Sequence, residues 1–183
     1  MAGFKEAFNN SHAVLPVVHV EDSLQALRNT QIAKKEGADG VFLIDMHQRH
    51  PLVLNEIHNA VRGEFPTWWI GNNYLNVETS RVFNLLDGSV SGLWTDYSGL
   101  NEKSKEQIEA DKISEGRKKS GWDGLYFGAV AFKYQPGVNN LEHVSKIATK
   151  YMDVVTTSGD RTGSPPTWEK MARIKTGISS KMP

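Results

Sequence analysis

The chain has 183 residues and is 39% hydrophobic, enough material for one domain with a core of its own. Lysine plus arginine equals aspartate plus glutamate at 21 each, so no global field draws it toward nucleic acid or an anionic membrane. The absence of cysteine excludes a disulfide framework, a thiolate metal site and a cysteine nucleophile.

Residues 1–11 lack the long apolar run of a signal peptide, and the longest apolar stretch, at 14–20, is interrupted by Pro16 and His19. No integral membrane segment is expected, and a soluble cytoplasmic protein is. The first strand is expected at 13–20, followed by a helix from Asp22 to about Glu36, with Asp22 or Ser23 as cap and Gly37 as stop. The second unit repeats this order: a strand at 39–46, a loop at 47–50, and a helix at 51–62 whose Leu54, Ile57 and Val61 share one face. A third strand at 67–72 leads through Asn73 to a helix around 77–86, and a fourth strand is expected at 89–95. The charged segment 102–119 reads as a helix with a solvated face. A fifth strand at 124–132 precedes a helix at 140–152, and a sixth at 153–157 runs into a loop and a last helix. Trp168, Met171, Ala172, Ile174 and Ile178 are assigned to the apolar side of that helix.

The second and fifth strands are continuously apolar, as a parallel sheet covered by helices requires. Strict alternation then gives right-handed βα units, and repeats of about 25 to 35 residues fit a (β/α) TIM-barrel-like fold. No Gly-x-Gly-x-x-Gly follows the first strand, and a polar residue stands at every strand end: His19, Asp45, Asn72, Asp96, Lys133 and Ser158. In a barrel these ends share one mouth. About six of the eight units of a barrel are present, because the sequence reaches 178–183 where a seventh strand would begin. The expectation is therefore a single barrel-like domain short of its last units, whose edge strands are covered in a homo-oligomer or by a partner subunit, or else a fragment of a longer barrel.

The sixth loop, Ser158-Gly159-Asp160-Arg161-Thr162-Gly163-Ser164-Pro165-Pro166-Thr167, has the composition of an anion-binding turn. Gly159 and Gly163 permit backbone conformations in which successive N–H groups converge, with Arg161, hydroxyls and a helix N-terminus nearby. The alternative is that its glycines and prolines only make a tight connection. Lys133 can neutralise an anion or act as base or nucleophile. Asp45 and Asp96 are candidate acid/base groups or hydroxyl acceptors, or else loop caps. Asp45, His47, His50 and His19 offer ligands for a divalent ion, yet neither His-x-His nor a helical His-Glu-x-x-His is present, and no metal is assigned. Trp68, Trp69, Trp94 and Tyr126 read as core, while Tyr74, Tyr97 and Tyr134 follow strand ends where one can stack on a base or sugar.

These segments resemble the BtpA family, named for a photosystem I biogenesis factor. The similarity rests on the run from Asp153 through Ser158-Gly159, Thr162-Gly163 and Pro165-Pro166, and on Val17-Val18-His19, Gly71-Asn72-Asn73, Asp96-Tyr97-Ser98-Gly99 and Lys133. The chain departs from the family at Val20-Glu21-Asp22, at Ile44-Asp45-Met46-His47 and at Lys133-Tyr134. The resemblance implies a TIM barrel related to ribulose-phosphate-binding barrels, with isomerase or ribosyl-group chemistry, or else a non-catalytic assembly factor acting through protein contacts.

Residues and resemblance together give an expected site. Ser158, Gly159, Arg161, Thr162 and Gly163 hold a small anionic metabolite, a phosphorylated sugar or nucleoside, with Asn72 and Asn73 as further ligand contacts. His19, Asp45, Asp96 and Lys133 supply charge and proton transfer. The residues leave the cofactor unknown and give no nucleic-acid groove.

Overall fold

Each strand of the sheet lies beside the strand that follows it in sequence, in the order β1-β2-β3-β4-β5-β6, and every pair is parallel. A doubly wound sheet reverses its order at a switch point; this one does not, which is the winding of a (β/α) barrel. A computed structural model describes residues 3–178. Its strands are β1 (Val17–His19), β2 (Gly40–Ile44), β3 (Trp69–Asn73), β4 (Gly92–Thr95), β5 (Leu125–Ala129) and β6 (Val154–Thr156). Its helices are α1 (Phe4–Phe8), α2 (Ser23–Lys35), α3 (Pro51–Glu64), α4 (Thr79–Val82, continued by a 3-10 turn at Phe83–Leu85), α5 (Ile108–Ser120), α6 (Leu141–Ala148) and α7 (Trp168–Gly177). The expected fold is the one observed, an open, partial TIM-barrel-like α/β sheet. Residues 179–183, where a seventh strand was expected, lie outside the described residues.

Alternate side chains of the strands enter two separate cores. Val18, Val41, Leu43, Ile70, Leu93 and Tyr126 pack with Ala26, Leu54, Ile57, Val61, Ile113 and Val144 of the helices. The intervening residues Phe42, Trp69, Leu125, Phe127 and Val154 form a second cluster, against which Phe4, Phe8, Leu15 and Trp94 pack. This second face corresponds to a barrel interior, and α1, which the sequence did not predict, covers part of it. Each large side chain so buried contributes about 1.5–3 kcal/mol. The aromatic rings meet edge to face, with Phe42 centred 5.0 Å from Trp69 and 5.1 Å from Phe127. Glycine makes room for them: a Cβ on Gly71 would stand 2.5 Å from the Phe42 ring, and one on Gly92 would collide with Trp69.

Helix ends follow the local chemistry. The Asp22 carboxylate accepts from Gln25 N at 2.8 Å and caps α2 as expected. Three helices differ from expectation, the first being α6, which ends at Ala148 instead of 152. The segment 102–107 is loop, and α5 starts only at Ile108, because the Gln107 side chain turns back to bond Asn101 N and the carbonyls of Asn101 and Ser104. In α7, Trp168 is 86% exposed and only Ile174 is buried, so the helix docks through a narrower face than its apolar residues imply. Among the described residues, no helix is long and apolar enough to cross a membrane.

Candidate functional site

Parallel winding brings all six strand ends to one edge of the sheet, but their side chains do not converge on one point. At β2, Asp45 is 6% exposed and is fully occupied. Arg49 grips it with Nε and a terminal nitrogen at 3.0 and 3.1 Å, and the amides of His47 and Arg49 donate to it at 3.1 Å. Burial works against its charge, yet these bonds outweigh burial and hold the carboxyl below the ordinary carboxylate range. Arg49 also donates to the carbonyls of Val20 and Glu21, so the pair ties the β1 loop to the β2 loop. Here Asp45 is a loop cap.

The imidazoles are engaged separately. His47 bonds Glu21 at 2.7 Å, and the His50 ring accepts from Leu52 N at the start of α3. His19 is exposed on β1, and its carbonyl accepts from Gln25. Among the described residues, no group of three or more histidines and carboxylates is arranged to hold a metal ion.

Asn72 and Asn73 are adjacent but face opposite sides of the sheet. Asn72 is fully buried toward α3, where it bonds the His58 ring at 2.9 Å and the Tyr74 hydroxyl at 2.9 Å; that hydroxyl donates to Asn55 at 2.6 Å. Burial pushes the Tyr74 phenol up to about 12 and His58 down. These residues close a polar seam in the core, so Asn72 lines no opening. Asn73, on the other face, donates to the Asp96 carboxylate at 3.0 Å.

Asp96 is the one strand-end carboxyl held away from its ordinary ionisation by desolvation. Burial pushes it up, and the Asn73 hydrogen bond and the positive charge of Lys133 only partly offset this. It stands in the wall of a cavity of about 520 Å³ between the loops that follow β4 and β5. A second cavity, of about 450 Å³, lies between the loops that follow β5 and β6 and is lined by Lys133, Gly159, Asp160, Lys170 and Arg173. The two share Ala131, Phe132 and residues 135–138 of the β5 loop, so they adjoin across that loop. Glu102 fastens its outer side: both carboxylate oxygens accept from Asn139 N, and one also from Asn140 N at 2.8 Å, at the entry to α6.

In the β6 loop the expected anion cradle is arranged differently. The Ser158 hydroxyl accepts from Lys133 N at 2.7 Å and donates to the Gly159 carbonyl at 2.9 Å. A Cβ on Gly159 would strike the Ser164 carbonyl, and Gly163 has a φ of 82°, so both glycines are required by the turn itself. Arg161 and Thr162 are exposed and line neither cavity; Arg161 bonds Ser164, and Thr162 N donates to the Tyr134 hydroxyl. The residue that enters the site from this side is Lys170, whose ammonium donates to the carbonyls of Ala131 at 2.6 Å and Ser158 at 2.7 Å. Nothing in the loop motif announced it. The available signal was position, since a residue three after the cap Thr167 stands in the first turn of α7.

Fold and site together define a barrel-type α/β protein with a polar mouth at the C-terminal ends of β3 to β6. No protein-family model matches the chain, and no curated protein matches it. Solved structures do. A dipeptide epimerase from Enterococcus faecalis superposes with a TM-score of 0.57 at 9% identity, over 97% of this chain and 48% of that one. A mandelate racemase/muconate lactonizing protein from Herpetosiphon aurantiacus gives 0.57 at 9% identity, over 91% and 44%. An enolase-superfamily protein from Enterococcus faecalis gives 0.54 at 13% identity, over 96% and 45%. The chain thus spans less than half the length of these structures, and the likeness is one of fold.

The resemblance to the BtpA family is corrected by this comparison, because the structural neighbours belong to the enolase superfamily. The physical reason lies in the quoted motif. Its serine, glycines and prolines satisfy the geometry of a strand–loop–helix connection, so the motif by itself specifies neither a family nor a ligand.

Proposed function

We propose that the chain binds a small anionic metabolite in the mouth over β3 to β6, with Asp96 and Lys133 handling proton transfer and charge. The supporting observation is the Asp96 carboxyl, oriented by Asn73, raised by burial in a cavity wall and acted on by Lys133. A carboxyl whose pKa is raised by burial in a cavity wall is the kind of group that acid–base catalysis uses. Lys133 supplies the positive charge, and Gly159 brings backbone close to the cavity between the β5 and β6 loops. Asp160 and Glu169 in the same lining limit the charge the cavity accepts, which favours a singly charged or hydroxyl-bearing ligand over a bare polyanion.

Calorimetric titration with inorganic phosphate, small hydroxycarboxylates, sugar phosphates and nucleoside monophosphates tests this. At least one should bind, and Lys133→Met should weaken it about ten- to hundredfold, the value of a charge-assisted hydrogen bond. If no member of the panel binds, or if binding is indifferent to Lys133→Met and Asp96→Asn alike, the proposal is wrong.

A further inference from the structure

Lys133 sits on a turn that the chain does not favour. Gln135 N donates to the Phe132 carbonyl at 3.2 Å, closing a turn with Lys133 and Tyr134 at its tip. Tyr134 has a φ of 61°, and Ala131, at the entrance to the turn, has a φ of 49°; neither is a glycine. Two left-handed residues so close together persist only where the surroundings hold them.

Two side chains from the β6 side do so. The Ser158 hydroxyl receives the Lys133 amide, and the Lys170 ammonium binds the Ala131 carbonyl and the Ser158 carbonyl together. Lys170 is badly placed for any other purpose. It is a cation in the first turn of α7, where the helix dipole disfavours positive charge, and burial pushes its amine down from the ordinary range. A neutral donor would close a plain loop at lower cost. The ammonium, with three donors, can hold two carbonyls from different loops at once.

We infer that Lys170 is a positioning residue: by clamping Ala131 to Ser158 it sets the strained turn that carries Lys133 into the lining of the cavity between the β5 and β6 loops. This rests on the proposed role of Lys133 and Asp96, but its consequence can be read without any ligand. Lys133 is the cation whose charge acts on Asp96, pulling its carboxyl down against burial. Releasing the turn should move Lys133 away and let Asp96 rise.

The experiment uses the full chain, with carbon-detected NMR titration of the Asp96 carboxyl and mass-spectrometric measurement of Lys133 acylation by an amine-reactive ester. Lys170→Met should shift the Asp96 midpoint upward, in the direction given by Lys133→Met, and change the acylation rate of Lys133. Lys170→Arg, which can still bridge two carbonyls, should restore both. If Lys170→Met does not fold, Ser158→Ala, which removes the acceptor of the Lys133 amide without changing charge, is read in the same way. An unshifted Asp96 and unchanged Lys133 reactivity in a folded variant overturn the inference. These shifts without anion binding by the wild type would sink the proposed function and leave the positioning role standing; binding without the shifts would do the reverse.

Discussion

The amide of Asn73, at the end of β3, donates to the carboxylate of Asp96, just past β4, at 3.0 Å. That bond orients Asp96 but does not cancel the cost of desolvating its charge, since the carboxyl stays above its ordinary value of 3.8. A group whose folded pKa is raised contributes stability that is fully present below the unfolded pKa and is lost as pH rises through the folded one. Asp96→Asn, which keeps an acceptor for Asn73 and has no charge, should therefore melt higher than wild type at neutral pH. The gap should close as pH falls toward 3.8. Thermal unfolding across this range is the check; a variant less stable than wild type at neutral pH would show that Asp96 is not electrostatically strained.

Asp45 predicts the opposite behaviour. Its carboxylate is held by two bonds from Arg49 and two backbone amides, and the clamp joins two loops through residues that line neither cavity. Asp45→Ala should lower stability by about 1–3 kcal/mol, because a half-buried guanidinium and two amides lose their acceptor. Any anion affinity of the folded variant should match wild type. Urea unfolding and calorimetry on the same preparation separate the two effects, and a stable variant that has lost ligand would return Asp45 to the site.

The contrast between these aspartates shows what the sequence could reveal. The order of elements was legible because continuous apolar strands such as Gly40–Ile44 and the α3 face of Leu54, Ile57 and Val61 report burial directly. Strand-end position was legible too, and it placed Asp45, Asn72, Asn73 and Asp96 on one edge. Partnership was not. Whether a carboxylate is captured depends on Arg49, four residues on, folding back onto Asp45, while nothing comparable reaches Asp96. Asn72 and Asn73 differ by one residue, and the period of two sends one into the helix core and the other to the opposite face, where it meets Asp96. Trp168 failed as a core residue because helical periodicity marks a face without saying how much of it is covered.

His58 makes a prediction about acid stability. It is 1% exposed, bonded to Asn72 and close to the Ser89 carbonyl, and burial holds its pKa below the ordinary 6.5. The unfolded chain takes up a proton near 6.5 while the folded one resists, so the stability contributed by the neutral ring is present above that pH and is lost as pH falls. His58→Gln retains a polar partner for Asn72 but cannot titrate. Denaturant midpoints should fall less steeply below pH 6.5 in this variant than in wild type. Equal slopes would mean that the ring is protonated in the folded state.

The last prediction concerns the loop that follows β4, over the cavity lined by Asp96. Glu102 lies in a segment whose charges suggested only a solvated helix face, yet its carboxylate accepts from the amides of Asn139 and Asn140, where α6 begins. Those amides belong to the helix entry that has no intrahelical acceptor, and the helix dipole adds to their hold on an anion. The bonds from Asn140 and Asn139 keep the carboxyl below its ordinary value of 4.5. A depressed carboxyl contributes above its unfolded pKa and loses that contribution as pH falls through the folded one, so the latch should be closed at neutral pH and open in acid. Measured by hydrogen exchange relative to intrinsic rates, the amides of Asn139 and Asn140 should be protected in wild type at neutral pH and exposed in Glu102→Ala. The loop from Asp96 to Gln107 should exchange faster in the same variant, while the amides of β3 and β5 stay protected. Because Glu102 is only half-buried and belongs to neither core cluster, global stability should change little, and that separates a latch from a structural support. If the Asn139 and Asn140 amides exchange equally in both proteins, Glu102 does not hold the loop.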